Sequence, residues 1–153
     1  MNKIHKILYF FLTVVFFICF DSYFSKLLLN SRFTIEKNPI LDIIYVQNTG
    51  AAFSLLENAP LILISFAIIA IFLIIFYGIK NIEKFSVFAC FWAALLIAGI
   101  VCNLYERLTL GYVVDFLKLN FIDFPIFNIS DIFINIGVFS LVVIIIKNKY
   151  LKK

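Results

Sequence analysis

The sequence predicts an all-α membrane protein: four transmembrane helices, both termini on the cytoplasmic side, and a small extramembrane β-sheet on the other side. Three observations carry this. The 153 residues are 64% hydrophobic and only 14% charged, with a mean hydropathy of +1.09. Soluble domains are nearer half apolar and a quarter charged, so lipid must be the solvent for most of this surface. Four apolar stretches reach or approach the roughly 20 residues that cross a bilayer, and basic and acidic residues alternate between the connections that join them. The length suits one integral-membrane domain covering residues 1–153.

The spans are placed at about 7–28, 60–79, 85–102 and 132–146. The first follows Lys3 and Lys6 as a signal peptide would, but no small-x-small cleavage site follows and Asp21 interrupts, so an uncleaved span is expected. The last is short and takes Asn128 and Asp131 as its polar start. Lys3 and Lys6, Lys80 and Lys84, and Lys147, Lys149, Lys152 and Lys153 fall on one side of a four-span chain. By the positive-inside rule that side is the cytoplasm. Of the nine acids only Glu83 shares it; Asp21, Glu36, Asp42, Glu57, Glu106, Asp115, Asp123 and Asp131 lie at or beyond the other side.

Between the spans, residues 42–46 read as a strand, rich in β-branched and aromatic types and ending in the turn-prone Asn48-Thr49-Gly50. Residues 112–116 read similarly, with residues 124–127 as their expected partner and Pro125 holding an edge. Open strand edges cannot sit in hydrocarbon, which places this sheet at the interface, half covered by the helices.

The net charge of +4 does not point to nucleic acid, because the basic residues stand at helix ends and termini and not on a groove-sized face. Cys19, Cys90 and Cys102 lie in apolar runs without a Cys-x-x-Cys, and His5 is the one histidine. No metal site or thiol nucleophile is expected, and the cysteines read as small buried residues.

The carboxylates carry the chemistry. Asp115 follows Tyr112-Val113-Val114 and Asp131 follows Phe127-Asn128-Ile129-Ser130. Each is an acid in apolar company near the membrane surface, where ionisation is costly and a function is the default reading. Two aspartates at close range hold one proton between them, so one can activate water while the other donates. Asp131 read as a helix cap, with Asp115 in solvent, is the competing account. Asp21 reads equally as a third site carboxylate or a helix-packing group. Arg107 in Asn103-x-x-Glu106-Arg107 could pair with an acid or steady a substrate's backbone. A small ion-coupled transporter would place its acids near mid-membrane on broken helices; here they crowd one face.

In order along the chain, these segments resemble bacterial lipoprotein signal peptidase (signal peptidase II). The shared features are Asp21 in the first span, Asn48-Thr49-Gly50-Ala51-Ala52-Phe53, Cys102-Asn103-Leu104-Tyr105-Glu106-Arg107, Val113-Val114-Asp115-Phe116 and Phe127-Asn128-Ile129-Ser130-Asp131. The resemblance implies an intramembrane-type aspartic endopeptidase of the bacterial inner membrane, without cofactor and working as a monomer. It would remove signal peptides from diacylglyceryl-modified prolipoproteins just before the lipidated cysteine, and the antibiotic globomycin would inhibit it. The resemblance puts catalysis on Asp115 and Asp131. Asn48, Gly50, Asn103, Arg107 and Asn128 would line or brace the groove, Asp21 and Glu106 would support them, and an extramembrane β-cradle would grip the lipoprotein. This chain departs from the family pattern at Glu106 (usually aspartate), Cys102 (glycine) and Ser130 (alanine). The family's lysine four residues after the first aspartate is here Lys26, five residues after Asp21, turned by about 100° around the helix. A catalytically altered homologue is the alternative these departures raise.

Overall fold

The computed structural model describes residues 1–30, 39–51, 55–57 and 59–150. Element order is α1 (Lys3–Asn30), β1 (Leu41–Asn48), α2 (Pro60–Lys80), α3 (Val87–Leu110), β2 (Val113–Leu119) and α4 (Ile129–Tyr150). All four helices are long and apolar enough to cross a membrane.

Local chemistry sets the helix limits. Pro60 opens α2 at a position where its missing N–H is not needed. Ser86 caps α3, its side chain accepting from the Ala89 N–H at 3.1 Å. α3 ends at Gly111, in the left-handed region at φ 86°, where glycine adds no Cβ strain. This helix therefore runs two turns beyond the expected end at residue 102. The polar run Asn103 to Arg107 looks like a connection in sequence, yet it continues the helix and turns Asn103 and Arg107 toward the site. Lys6 joins the ends bearing the lysines: its ammonium donates to the carbonyls of Ile82, Glu83 and Phe85 at 3.1, 3.2 and 2.6 Å.

α3 is the central helix, packed on α4, α1 and α2. Small residues let it approach its neighbours closely. A Cβ on Gly99 would lie 2.5 Å from the Ser130 carbonyl oxygen, and one on Gly137 would lie 2.8 Å from Leu96 Cβ. Cys90 and Cys102 are buried as expected, whereas Cys19 is exposed on the outer face of α1.

β1 and β2 form a two-stranded antiparallel sheet, with Val46 opposite Asp115, Gln47 opposite Val114 and Asn48 opposite Val113. The expected pairing of residues 112–116 with 124–127 shrinks to one bridge, Leu117 to Phe127. The long-range strand β1 takes the ladder because it offers eight extended residues, while Pro125 lacks a donor and limits the nearer segment. β2 is buried from Val113 to Leu117, with Val114, Phe116 and Leu117 packed against Leu95, Ile129 and Phe133. The sheet thus rests on the acid-bearing end of the bundle and carries Asp115 toward α3 and α4.

Candidate active site

Asp131 occupies the third position of α4, and the local sequence explains why. Asn128 precedes the helix, its Oδ1 accepting from the Asp131 N–H at 2.8 Å, while Asp131 Oδ2 accepts from the Asn128 N–H at 3.2 Å. This is a reciprocal capping box built from Asn and Asp. The other oxygen of Asp131 accepts from Asn103 Nδ2 at 2.9 Å. Capping and membership of the site are thus the same arrangement, not rival accounts.

Asp115 is held by strand pairing. Asn48 lies diagonally across the ladder from it, within side-chain reach, and donates from Nδ2 to Asp115 Oδ2 at 2.7 Å. Asn128 Nδ2 donates to Asp115 Oδ1 at 2.9 Å and to Asn103 Oδ1 at 3.1 Å. Asn128 therefore touches both aspartates. All four carboxylate oxygens receive an N–H, which fixes each carboxyl plane without a cation.

Asp115 is only 2% exposed. Burial pushes its carboxyl up to about 6, and neighbouring Asp131 and Glu106 push the same way, against the lowering effect of the Asn48 and Asn128 bonds. A carboxylic acid that titrates near neutrality can hold or release a proton during a reaction.

Both aspartates line a cavity of about 730 Å³. Asn48, Gly50, Asn103 and Arg107 share its wall. Leu63 and Ala67 of α2, Ile100 of α3 and Ile134 of α4 supply an apolar side. The cleft thus sets an apolar side against a polar side that carries both aspartates, the usual make-up of a small-molecule or peptide site.

A model of the signal peptidase (SPase) II family matches residues 13–147. The chain belongs to the signal peptidase II family. A lipoprotein signal peptidase of Fusobacterium nucleatum subsp. nucleatum is 37% identical over 143 residues, 90% of this chain and 86% of that protein. One of Streptococcus thermophilus is 38% identical over 110 residues, 72% and 71% of the two chains. A solved structure described as a bacterial membrane enzyme, obtained by the in meso method at 2.3 Å resolution, superposes with a TM-score of 0.82. It is 29% identical and covers 94% of this chain and 91% of its own. This family member is accordingly a peptidase and a multi-pass membrane protein.

The sequence-derived site residues divide into three groups. Asp115, Asp131, Asn48, Gly50, Asn103 and Arg107 meet at the cavity, and Asn128 links the aspartates from behind. Asp21 accepts from Ser130 Oγ at 2.8 Å. It joins α1 to the start of α4 without appearing among the described lining residues. Glu106 and Arg107 do not bond to each other. Glu106 Oε2 accepts from the Val114 N–H at 2.8 Å, while Arg107 Nη2 donates to the Gly50 carbonyl at 2.9 Å. Adjacent helical residues point about 100° apart, which directs the two side chains to different partners. Ala52 and Phe53 of the Asn48 segment lie outside the described residues. The apolar wall was missed in sequence because Leu63, Ala67, Ile100 and Ile134 read there as ordinary span residues.

Proposed function

We propose that this chain removes the signal peptide from diacylglyceryl-modified prolipoproteins, cutting just before the lipidated cysteine with water activated between Asp115 and Asp131. The observation that carries the reading is the bridge through Asn128, which unites an aspartate of β2 with one of α4 at the wall of a single cavity. The lipoprotein signal peptidases of F. nucleatum and S. thermophilus support the substrate class.

In the proposed reaction the pair begins with one proton. The ionised carboxylate takes a proton from water as the water oxygen bonds to the scissile carbonyl carbon, and the protonated partner donates to the carbonyl oxygen. Collapse of the tetrahedral intermediate breaks the C–N bond as a carboxyl proton passes to the leaving amine and the other carboxylate takes the proton of a gem-diol hydroxyl. Both products depart with the pair again holding one proton. Arg107 fixes the Gly50 carbonyl and so shapes the wall along which the peptide would lie. By the positive-inside rule the basic residues support termini in the cytoplasm and a site on the outer side of the bacterial cell membrane, where an exported precursor presents its cleavage site.

The chain is proposed to act as a monomer in contact with lipid, to need no metal or nucleic acid, and to be inhibited by globomycin. Purified protein should cleave a diacylated precursor in detergent or bilayers and stop when globomycin is added. Failure to cleave that precursor, or cleavage indifferent to globomycin, would contradict the proposal.

A further inference from the structure

Glu106 does not line the cavity among its described residues and does not bond to Arg107, yet its carboxylate reaches the strand that carries Asp115. β2 uses one edge to pair with β1. Along its other edge the Phe116 and Leu117 N–H groups donate to the Phe127 carbonyl at 3.0 and 2.8 Å. The Val114 N–H lies beyond this short bridge and donates to Glu106 Oε2 at 2.8 Å. A side chain of α3 thereby extends the acceptor row of the second edge by one position, beside Asp115. Without it, a buried backbone donor would face the helix unpaired, a costly arrangement.

We propose that Glu106 is a positioning residue whose carboxylate, acting as a backbone acceptor for Val114, sets the register and height of Asp115 against Asp131. The inference rests on the aspartic-peptidase reading above. It assigns the work to one oxygen at a given reach, not to the negative charge. The acceptor spans from α3 to β2 at 2.8 Å, and an aspartate in its place would be one methylene short. Among the described residues the second carboxylate oxygen accepts no bond, so an amide nitrogen can replace it without meeting a donor.

Three variants separate reach from charge. Glu106→Gln keeps the acceptor and removes the charge; Glu106→Asp keeps the charge and withdraws the acceptor; Glu106→Ala removes both. In the diacylated-precursor assay, Glu106→Gln should stay within about 3-fold of the wild-type kcat. Glu106→Asp and Glu106→Ala should lose roughly 10-fold or more in kcat with KM little changed, the rate equivalent of one hydrogen bond to a charged group. Hydrogen exchange at the Val114 amide should be slow in wild type and Glu106→Gln and faster in the other two.

Asp115 is faced by Asp131 of α4 and by Glu106 and Arg107 of α3. Glu106→Gln removes one of the two negative neighbours. The limb of the pH–rate profile that reports Asp115 should therefore move to lower pH while the maximal rate is retained. Should Glu106→Ala fail to fold, the Gln and Asp variants decide. A fully active Glu106→Asp beside a poorly active Glu106→Gln would overturn the proposal in favour of a charge role. Wild-type rates in all three, or a change in KM alone, would also overturn it. Wild-type inactivity on the precursor would instead reject the function proposed above.

Discussion

Replacing Asn128 separates the arrangement of the aspartate pair from contact with substrate, because Asn128 bonds to both aspartates from behind the cavity wall. Asn128→Ala removes the Nδ2 bond to Asp115 Oδ1 at 2.9 Å, the Nδ2 bond to Asn103 Oδ1 at 3.1 Å and the Oδ1 cap on the Asp131 N–H at 2.8 Å. The backbone bond from Asn128 N–H to Asp131 Oδ2 stays. A lost N-cap costs about 1 kcal/mol and a lost hydrogen bond to a charged group roughly 1.5–3 kcal/mol. Stability should fall by roughly 2–4 kcal/mol, allowing for partial relaxation. If the Asp115 bond matters equally in the transition state, kcat falls by about 10- to 150-fold. Asn128→Asp keeps an oxygen for the cap but presents a carboxylate oxygen to Asp115 in place of a donor. It should protect the helix start better than alanine and lose at least as much activity. The assay is precursor cleavage under single-turnover conditions, with thermal unfolding in detergent run on the same samples. An Asn128→Ala protein that is folded and within about 2-fold of the wild-type rate would refute the bridging role.

Other perturbations test the supports. Gly99→Ala places a Cβ 2.5 Å from the Ser130 carbonyl oxygen, one residue before Asp131. It should cost roughly 1–3 kcal/mol through overpacking and lower turnover as well, whereas Gly78→Ala, with nothing within 4 Å, should do neither. Lys6→Met removes three bonds to the α2–α3 connection, at the end opposite the site. It should lower thermal stability by about 1–3 kcal/mol and leave the turnover of folded protein unchanged. Asp115 binds its proton more tightly when folded, since burial raises it from 3.8 to about 6. Its contribution to stability is fully present below pH 4 and is lost as pH rises through 6. Relative to wild type, Asp115→Asn should therefore gain about 1–2 kcal/mol of stability between pH 4 and pH 7, after allowance for solvent screening; equal pH dependence in the two proteins would contradict the assigned burial.

How much of this could be read from sequence depends on the range of the contact. The four spans and the crowding of acids at one end were legible because hydropathy and charge placement are local signals. Asn128 and Asp131 were legible as a polar helix start, since a capping box spans only three residues. The bond from Asn48 to Asp115 joins residues 67 apart and depends on a register that no local pattern encodes, so β1 was not recognised as the partner of β2. The partner of Glu106 was hidden for a geometric reason. Its neighbour Arg107 suggests an ion pair in one dimension, but the helix turns the two apart and extends past the point where polar residues suggested that it stops. The bond from Ser130 to Asp21 joins residues 109 apart on two helices and was not legible from the neighbours of either.

The central claim is that Asp115 and Asp131 together perform the cleavage. Its most direct test is the rate at which Asp115→Asn and Asp131→Asn process a diacylated precursor, measured on protein shown to be folded in the membrane. Each variant should cut at no measurable rate, because an amide can neither take a proton from water nor pass one to the leaving amine, and the double variant should be no worse than either alone. Processing by either single variant at a rate near that of wild type would contradict the account.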